Sequence, residues 1–277
     1  MGERFSRDRV RHELAVRRIR VLRTEDVAAG MRRVTFGGDD LAGFAAEGPA
    51  DHVKLFLPDP ETGILTVPQA GKFREPSPDG ARVIVRDYTP LAFRPAGANG
   101  PELDIDFVLH GDHGVAAAWA AQAKPGDELA IGGPRGSALV PTGIESLVLV
   151  ADESALPAAA RWLRALGGDI PVTALFAVAD PDTARYFADA SSATRQLRWF
   201  TGVDRHAHLA DALRGAPIDE GTYLFLAGEA TALIPLRRHL RRELRLPKSQ
   251  VEVHGYWKQG IAALDHHAPL DPSDPDE

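Results

Sequence analysis

Residues 86–90, Arg-Asp-Tyr-Thr-Pro, combine side chains that suit a planar cofactor carrying phosphate groups. Arg86 offers a forked donor for a pyrophosphate, Tyr88 a flat face for stacking, and Thr89 a hydroxyl with a backbone amide. Pro90 is expected to end the strand that carries these residues. The same residues could form an ordinary exposed strand end, and both interpretations stay open from the residues alone.

Residues 106–114, Asp-Phe-Val-Leu-His-Gly-Asp-His-Gly, lead from a predicted strand into a predicted helix at 115–123. Gly114 precedes the helix, whose first backbone N–H groups are then available to an anion. His110 and His113 are three residues apart, which raises the question of a metal. The chain has no cysteine, and glycines interrupt any helix between the two histidines, so we predict no metal site.

Two further turns, Ala-Asp-Glu-Ser at 151–154 and Ala-Gly-Glu-Ala at 227–230, each follow an apolar strand and lead into a helix. Ligands of parallel sheets bind beyond the carboxyl ends of the strands, where a helix N-terminus can take a phosphate. The full Gly-x-Gly-x-x-Gly fingerprint of dinucleotide sites is missing, and Gly228 alone is weak support. The alternative is a plain turn in which Glu153 or Glu229 interacts with the first turn of its helix.

The elements that must position these residues change character near residue 143. Short β-branched or aromatic runs with turn residues between them predict about six strands before it, at 16–21, 31–36, 53–57, 83–88, 103–109 and 128–131. Afterwards strands at 147–150, 172–179, 197–201 and 223–226 alternate with helices from 156 and from about 230, the second carrying Leu233, Leu236, Leu240 and Leu244. We therefore predict an antiparallel barrel over 1–143, a parallel α/β domain over 144–260 and an acidic, Pro-rich, frayed tail over 261–277.

Composition excludes several classes of protein. Of 277 residues, 44% are hydrophobic and 26% charged, which is ordinary for a globular chain of two domains. The absence of cysteine excludes disulfide scaffolds, Cys-ligated metals and thiol chemistry. No apolar run approaches the roughly 20 residues that span a bilayer, and the Arg-rich residues 1–11 lack the apolar core of a signal peptide. We therefore expect a cytoplasmic protein without membrane association.

The formal net charge of −7 is unevenly distributed. Residues 1–33 contain ten arginines and five acidic residues, which is either a solvated surface or a basic patch that attracts an anionic ligand. Nucleic acid is not predicted as a partner, because the patch is short and lacks interleaved aromatic residues. The arginines at 237, 238, 241 and 242 could form a partner surface, although a solvated helix face is the simpler interpretation.

Several motifs together resemble those of the siderophore-interacting protein family. Members of this family are flavin-dependent ferric-siderophore reductases related to the ferredoxin reductase superfamily. The motifs are Arg-x-Tyr-Thr at 86–89, His-Gly-Asp-His-Gly at 110–114 with Trp119, Gly-Pro at 133–134 and Gly-Tyr-Trp-Lys-Gln-Gly at 255–260. The first motif is shared across the superfamily, whereas the second and the last are more specific to the family. The resemblance extends from about Val16 to Gly260.

The resemblance implies a six-stranded antiparallel FAD barrel followed by an NAD(P)H-binding α/β domain. It implies that Arg86 contacts the FAD pyrophosphate, that Tyr88 and Thr89 contact the flavin, and that the backbone amides of Ala116 and Ala117 contact the pyrophosphate. It assigns a further set of residues to the cofactor: Asp106, Val108, His110, Tyr256 and Trp257. Val115 and Ala117 depart from the proline and serine common in the family but keep the amide of residue 117. Lys54 and Lys258 match basic positions where an anionic ferric chelate docks.

The implied reaction passes electrons from NADPH or NADH through FAD to Fe(III) in a siderophore, which binds Fe(II) far more weakly. The cofactors carry the redox chemistry, so no catalytic side chain is predicted. Asp180 and Asp182 after the second strand favour NADH, Arg185 could reach the 2′-phosphate of NADPH, and a ferredoxin donor is also conceivable. Two alternatives are a general NAD(P)H:flavin or ferredoxin-type reductase and a flavin-carrying siderophore-binding protein without appreciable turnover. We expect a monomer.

Overall fold

The computed structural model describes residues 4–69, 81–98, 100–109, 114–188, 190–262, 264 and 269–274. Their contacts divide the chain into two compact units. We call Arg9–Leu139 the antiparallel unit, and Val140–Glu277 together with Met1–Asp8 the parallel unit. The first strand of the antiparallel unit therefore follows a short segment that belongs to the other unit.

The antiparallel unit is a curved sheet with one helix. Its elements are β1 (Arg9–Arg11), β2 (Val16–Ala28), β3 (Met31–Gly37), β4 (Val53–Leu57), β5 (Ile84–Tyr88), β6 (Pro90–Gly97), β7 (Gly100–Val108), α1 (Val115–Gln122), β8 (Glu128–Gly132) and β9 (Gly136–Ala138). Within the described residues, seven strands pair in the order β5-β4-β8-β2-β3-β7-β6, and β1 pairs with β9 as a separate ribbon. No described pairing joins β5 to β6, so the barrel is open.

The predicted antiparallel barrel is confirmed, with a seventh strand where the sequence predicted six. The added strand is β6, which begins at Pro90, the residue expected to end the preceding strand. Proline lacks an N–H group but is tolerated at the first residue of a strand and on a sheet edge, and β6 satisfies both conditions. Thr89 is therefore the single residue between β5 and β6.

The parallel unit is a sheet covered by helices on both faces. Its elements are β10 (Ser146–Ala151), α2 (Leu156–Ala165), β11 (Val172–Ala177), β12 (Arg195–Phe200), α3 (Arg205–Arg214), β13 (Thr222–Glu229), α4 (Ala230–Arg238) and β14 (Val251–Trp257). In the described chain, five strands pair in parallel in the order β12-β11-β10-β13-β14. The sheet order reverses between β10 and β13, so ligands are expected beyond the carboxyl ends of these two strands.

The packing explains why the central strands are continuous apolar runs. Trp162 of α2 lies 5.5 Å from Phe225 of β13 on one face of the sheet. Leu209 of α3 and Leu233 of α4 pack with alternate residues of β10 and β13 on the other face. Both faces of the central strands are therefore buried, which removes the alternation of polar and apolar residues.

Three elements depart from the sequence-based prediction of the parallel unit. The helix α3 and the strand β14 were not predicted, and α4 ends at Arg238, after which His239–Glu243 form a π-helical turn. Leu244, predicted on the buried helix face, is 44% exposed. None of the helices in the described part of the chain has the length and apolar character to cross a membrane.

Residues 269–274 are not frayed, contrary to the prediction for the tail. Leu270 is buried in the core of the parallel unit. The Asp271 carboxylate accepts a hydrogen bond from Arg238 at 2.5 Å, and Asp274 pairs with Arg242 and Arg237. Asp271 and Asp274 thus pair with arginines that the sequence left as a solvated face or a partner surface.

Candidate functional site

Arg86 is a half-buried cation on β5. One of its terminal nitrogens donates to the carbonyl of Val85 at 2.7 Å, and no carboxylate of the described residues pairs with it. Strand alternation places Arg86 on the same face as Ile84 and Tyr88, which both belong to the core of the antiparallel unit. Most of the forked donor set of the guanidinium therefore remains available to an anionic ligand.

Tyr88 and Thr89 follow Arg86 at the junction of β5 and β6. The Tyr88 ring is half-buried and lies 4.6 Å from the ring of Phe107, and burial raises the pKa of its phenol despite the opposing charge of Arg86. Thr89 is buried, and its hydroxyl has no hydrogen-bond partner among the described residues. The phenol therefore stays neutral at physiological pH, and the hydroxyl can serve a ligand.

The helix α1 begins beside this aromatic cluster. Its Trp119 lies 5.7 Å from Phe107, the ring that Tyr88 also contacts, and Ala116 and Ala117 are buried in its first turn. The N-cap residue Gly114, at φ 107°, has no side chain with which to accept from the first N–H groups. These amides and Arg86 each lack an anionic partner among the described residues, as expected of groups that bind a phosphate.

The structure gives Asp106 another partner. Its carboxylate accepts a forked pair of hydrogen bonds from Arg33 at 2.8 and 2.9 Å, across the β3–β7 register. Strand alternation puts Asp106 and Val108 on the face opposite Phe107. The β6–β7 register starts at Ile105, so residues 106–108 have β3 as their described strand neighbour. Residues 106–108 could contact a cofactor through their backbone. His110 lies outside the described residues.

Lys54 lies on the opposite face of the sheet from Arg86. It stands across from Asp87 in the β4–β5 register, and its Nζ donates to the Asp87 carboxylate at 2.8 Å. Val53 and Leu55, its neighbours in β4, point into the core. The structure therefore directs Arg86 and Tyr88 toward the core that also contains Ala116 of α1, and it places Lys54 on the other face of the sheet.

In the parallel unit, the carboxyl edge of the sheet is built around Asp152. This buried side chain follows β10 and accepts hydrogen bonds from the backbone and hydroxyl of Ser154, the backbone of Glu229 and the indole of Trp257. Burial raises its pKa against the opposing effect of these donors. A Cβ on Gly228, at φ 146°, would lie 2.6 Å from Asp152 Oδ2, so glycine is required there.

The two helix starts that the sequence offered to a phosphate are occupied by acidic side chains. Glu229 precedes α4 and accepts from the Ala232 amide at 2.7 Å, while Asp152 caps the turn that leads into α2. Glu153 accepts from the Ala179 amide at 2.5 Å, and burial raises its pKa. The alternative interpretation, in which Glu153 or Glu229 interacts with the first turn of its helix, holds for Glu229, whereas Glu153 bonds the amide that follows β11.

A helix start that sequence reasoning missed lies at the same edge of the sheet. The first turn of α3 contains Arg205 and His206, and no described side chain caps it, although Asp204 stands at the N-cap position. His206 lines a cleft together with Asp152, Gly228 and Glu229. Burial and the charge of Arg205 lower the pKa of His206, while the two carboxylates oppose that change. The signal in the sequence was the Arg-His pair after Val203-Asp204, at the end of a predicted strand.

The C-terminal motif residues belong to the parallel unit. Tyr256 is half-buried on β14, and Trp257, the last residue of that strand, is 44% exposed. Lys258 is half-buried, and its amine has no acidic partner within the described chain. In the residues described, no cluster of three or more His, Asp or Glu side chains has the arrangement of a metal site.

Comparisons with known proteins extend over both units. A family model described as a siderophore-interacting FAD-binding domain matches residues 20–138, and one described as a siderophore-interacting protein matches 144–260. An NADPH-dependent ferric-chelate reductase from Escherichia coli is 36% identical, over 90% of this chain and 95% of the relative. A ferric vibriobactin reductase from Vibrio cholerae is 29% identical, over 86% and 88%. The crystal structure of a siderophore utilization protein from T. fusca has 38% identity and a TM-score of 0.81, covering 95% of this chain and 100% of that chain.

Proposed function

This chain belongs to the siderophore-interacting protein family, and we propose that it is an FAD-dependent reductase that transfers electrons from NADPH to ferric siderophores. The observation that carries the proposal is the donor set of the antiparallel unit. Arg86, without a described carboxylate partner, lies on the core-facing side of β5, and that core also contains Ala116 from the start of α1, which lacks a side-chain cap. The identity to the ferric-chelate and ferric vibriobactin reductases supports the substrate class.

The residues of the antiparallel unit fit FAD by their chemistry. Arg86 and the amides of Ala116 and Ala117 hold the pyrophosphate, because together they supply a positive charge and N–H donors. Tyr88 offers its ring to the flavin, and Thr89 offers a hydroxyl that has no described partner. Asp106 and Val108 line the cofactor through the backbone, since the Asp106 carboxylate is held by Arg33. The assignments of His110, Tyr256 and Trp257 to FAD stay predictions.

When bound, the flavin accepts a hydride from the reduced nucleotide and delivers electrons one at a time to iron. Each NADPH then reduces two ferric siderophores, yielding NADP⁺, a proton, two Fe(II) ions and the two chelators. The side chains supply orientation and charge and are not required to donate or accept protons. The predicted docking charges are Lys258, whose amine has no described acidic partner, and Lys54, which Asp87 neutralises.

NADPH is the donor that the observations favour over NADH. The identity to an NADPH-dependent reductase supports it, and so does the first turn of α3, where Arg205 and His206 meet no described capping side chain. Asp180, the acid expected to favour NADH, instead accepts from the Asp182 amide at 2.8 Å and closes its own turn. The phosphates of NADPH therefore bind at α3, where N–H groups and a cation coincide. A ferredoxin donor stays an alternative.

The function is tested by anaerobic spectroscopy of the purified holoprotein. We expect a two-banded flavin spectrum that NADPH bleaches faster than NADH, and recovery on adding a ferric siderophore with two irons reduced per NADPH. Bleaching that only free flavin or quinone reverses would favour the general reductase. A flavin that stays oxidised under NADPH, NADH and reduced ferredoxin would favour the binding protein and overturn the proposal.

The substrate role of the two lysines has its own variants. Lys258→Ala should raise the KM for an anionic ferric siderophore and leave the rate of flavin reduction by NADPH unchanged. Asp87→Asn should lower that KM, because it releases the Lys54 charge, whereas Lys54→Ala should raise it. An unchanged KM in Lys54→Ala would exclude a role of Lys54 in substrate binding and leave it only the ion pair with Asp87.

We also place the protein in the cytoplasm, where pyridine nucleotides are kept reduced, and expect it to act as a monomer. Cell fractionation followed by immunoblotting tests the location. Sedimentation velocity of the holoprotein tests the oligomeric state, and a species of twice the chain mass of 29.9 kDa would contradict the monomer.

A further inference from the structure

Asp152 connects three segments of the parallel unit through one buried carboxylate. Its Oδ1 accepts from Ser154 N at 2.9 Å and Ser154 Oγ at 2.5 Å, and its Oδ2 accepts from Glu229 N and Trp257 Nε1, both at 2.8 Å. A carboxylate with bonds to both oxygens has a fixed orientation. The bonds from Ser154 and Glu229 fix the acceptor, and the indole of Trp257 is oriented by it.

The backbone of β14 directs Trp257 toward this acceptor. The β13–β14 register pairs Gly228 with Gly255 but Glu229 with Trp257, so one extra residue, Tyr256, is accommodated on β14. Bulges of this kind re-aim the side chains that follow them. The turn after Trp257 has a second attachment, because the Gln259 amide donates to the Glu229 carboxylate at 3.2 Å.

The indole is nevertheless 44% exposed, among the largest exposed apolar side chains of the described chain. A large aromatic ring that is held by a buried hydrogen bond and still open to solvent presents a rigid flat surface at low entropic cost to a ligand. Its anchor, Asp152, lines the cleft that His206, Gly228 and Glu229 also line. Trp257 is therefore bonded to a residue that lines this cleft, which also contains His206 of the α3 start where we propose that the NADPH phosphates bind.

We infer that Asp152 is a positioning residue for nucleotide binding, which fixes the indole of Trp257 so that its exposed face receives the nicotinamide ring of NADPH. The inference rests on the proposed function, because it requires that this cleft binds the nucleotide. Asp152 acts through the indole N–H and does not itself contact the nucleotide. Both oxygens of the Asp152 carboxylate already accept hydrogen bonds from described residues. We therefore expect Trp257 to be the residue that contacts the nucleotide.

The test is a double-mutant cycle on the full-length holoprotein, with NADP⁺ binding to the oxidised enzyme followed by calorimetry. Trp257→Phe keeps an aromatic ring but removes the N–H donor, and Asp152→Asn removes the charged acceptor. We expect each to weaken NADP⁺ binding and raise the KM for NADPH by about tenfold, within the range for a hydrogen bond to a charged group. The double variant should be no weaker than either single variant, because the same bond is lost only once.

Ser146→Ala provides the matched control. It removes a hydroxyl that donates to Thr222 Oγ1 at 2.9 Å at the amino ends of β10 and β13, and it leaves the bonds of Asp152 intact, so it should lower thermal stability without changing NADP⁺ affinity. The steady-state fluorescence anisotropy of Trp257, obtained by subtracting the Trp257→Phe spectrum, should fall in Asp152→Asn and not in Ser146→Ala. This readout depends on the indole alone and is independent of turnover.

Several outcomes would overturn the inference. Additive effects in the double variant, or a loss of affinity in Asp152→Asn that Trp257→Phe does not share, would mean that Asp152 acts directly or only through stability. Loss of FAD from Trp257→Phe with unchanged NADP⁺ affinity would assign the exposed ring to the flavin instead. A parental enzyme that binds neither NADP⁺ nor NADPH would refute the proposed donor and this inference together, whereas normal parental binding with additive variants would refute only the inference.

Discussion

The carboxylate of Glu252 should make the parallel unit sensitive to acid, and Glu252→Gln should remove much of that sensitivity. Glu252 lies on β14 with a side chain that is 16% exposed. It accepts two hydrogen bonds from Arg7 at 2.8 and 2.7 Å and one from the Tyr223 hydroxyl at 3.0 Å, and His254 Nε2 lies 2.8 Å away. Arg7 also stacks over the ring of Trp162, so this cluster attaches the first residues of the chain to the parallel unit.

The direction of the effect follows from the pKa of Glu252. Burial alone would raise it, but the bonds and charges of His254 and Arg7 outweigh burial and bring the pKa from 4.5 to about 2. A carboxylate whose pKa is lower in the folded than in the unfolded state stabilises the fold at pH values above its unfolded pKa. This contribution is lost as the pH falls toward the folded pKa. The shift corresponds to about 3 kcal/mol at pH 7, of which roughly 1 kcal/mol is lost by pH 4 and about 2 kcal/mol by pH 3.

The assay is urea denaturation at pH 7 and pH 4, followed by circular dichroism and tryptophan fluorescence. Glu252→Gln should cost about 3 kcal/mol at pH 7, because it leaves the buried Arg7 cation without its partner. The cost should be smaller at pH 4. Glu220→Gln, at an exposed carboxylate 3.5 Å from Arg4, is the control and should change stability by less than about 0.5 kcal/mol. A cost that is equal at the two pH values would refute the reasoning.

Three further substitutions test separate parts of the structure. Arg86→Lys should raise the Kd for FAD by about ten- to a hundredfold in titrations of the apoprotein, since lysine lacks the forked donor; an unchanged Kd would contradict the phosphate role. Gly228→Ala should destabilise the protein by about 2 kcal/mol in urea, because the new Cβ meets Asp152; retained stability would contradict the tight packing. Leu270→Ala should cost about 2 kcal/mol, whereas a frayed tail predicts no change.

The fold was predictable from residue patterns wherever burial decided them. Runs that alternate or stay apolar located the main strands, and the change between the two patterns predicted an antiparallel sheet followed by a parallel one. Pro90 concealed β6, because proline is compatible both with a strand end and with the first residue of an edge strand. In α3, Arg205–Arg214, the buried residues are Leu209, Ala212 and Leu213, so its periodic apolar signal is weak.

The candidate site was predictable by residue type but not by partner. The sequence identifies Arg86, Asp106 and Lys54 as charged groups near a cofactor motif, yet it does not state which of them is already paired. Pairing depends on cross-strand register, which places Arg33 opposite Asp106 and Asp87 opposite Lys54. The partners of the tail carboxylates were not predictable either, because they are arginines of a helix about thirty residues earlier in the chain.

The distribution of helix caps supports the phosphate positions that we propose for the two units. At the carboxyl edge of the parallel sheet, carboxylates occupy the starts leading into α2 and α4, and Asp152, Glu153 and Glu229 make that part of the edge unfavourable for an anion. In the described chain, α1, α2 and α3 begin without a side-chain cap, but α2 directly follows the turn that Asp152 caps. The proposed phosphate positions, α1 in one unit and α3 in the other, follow from this difference, because a phosphate needs N–H donors and avoids carboxylates. The acids remaining near β10 and β13 favour the uncharged or cationic part of a nucleotide, which is the nicotinamide end.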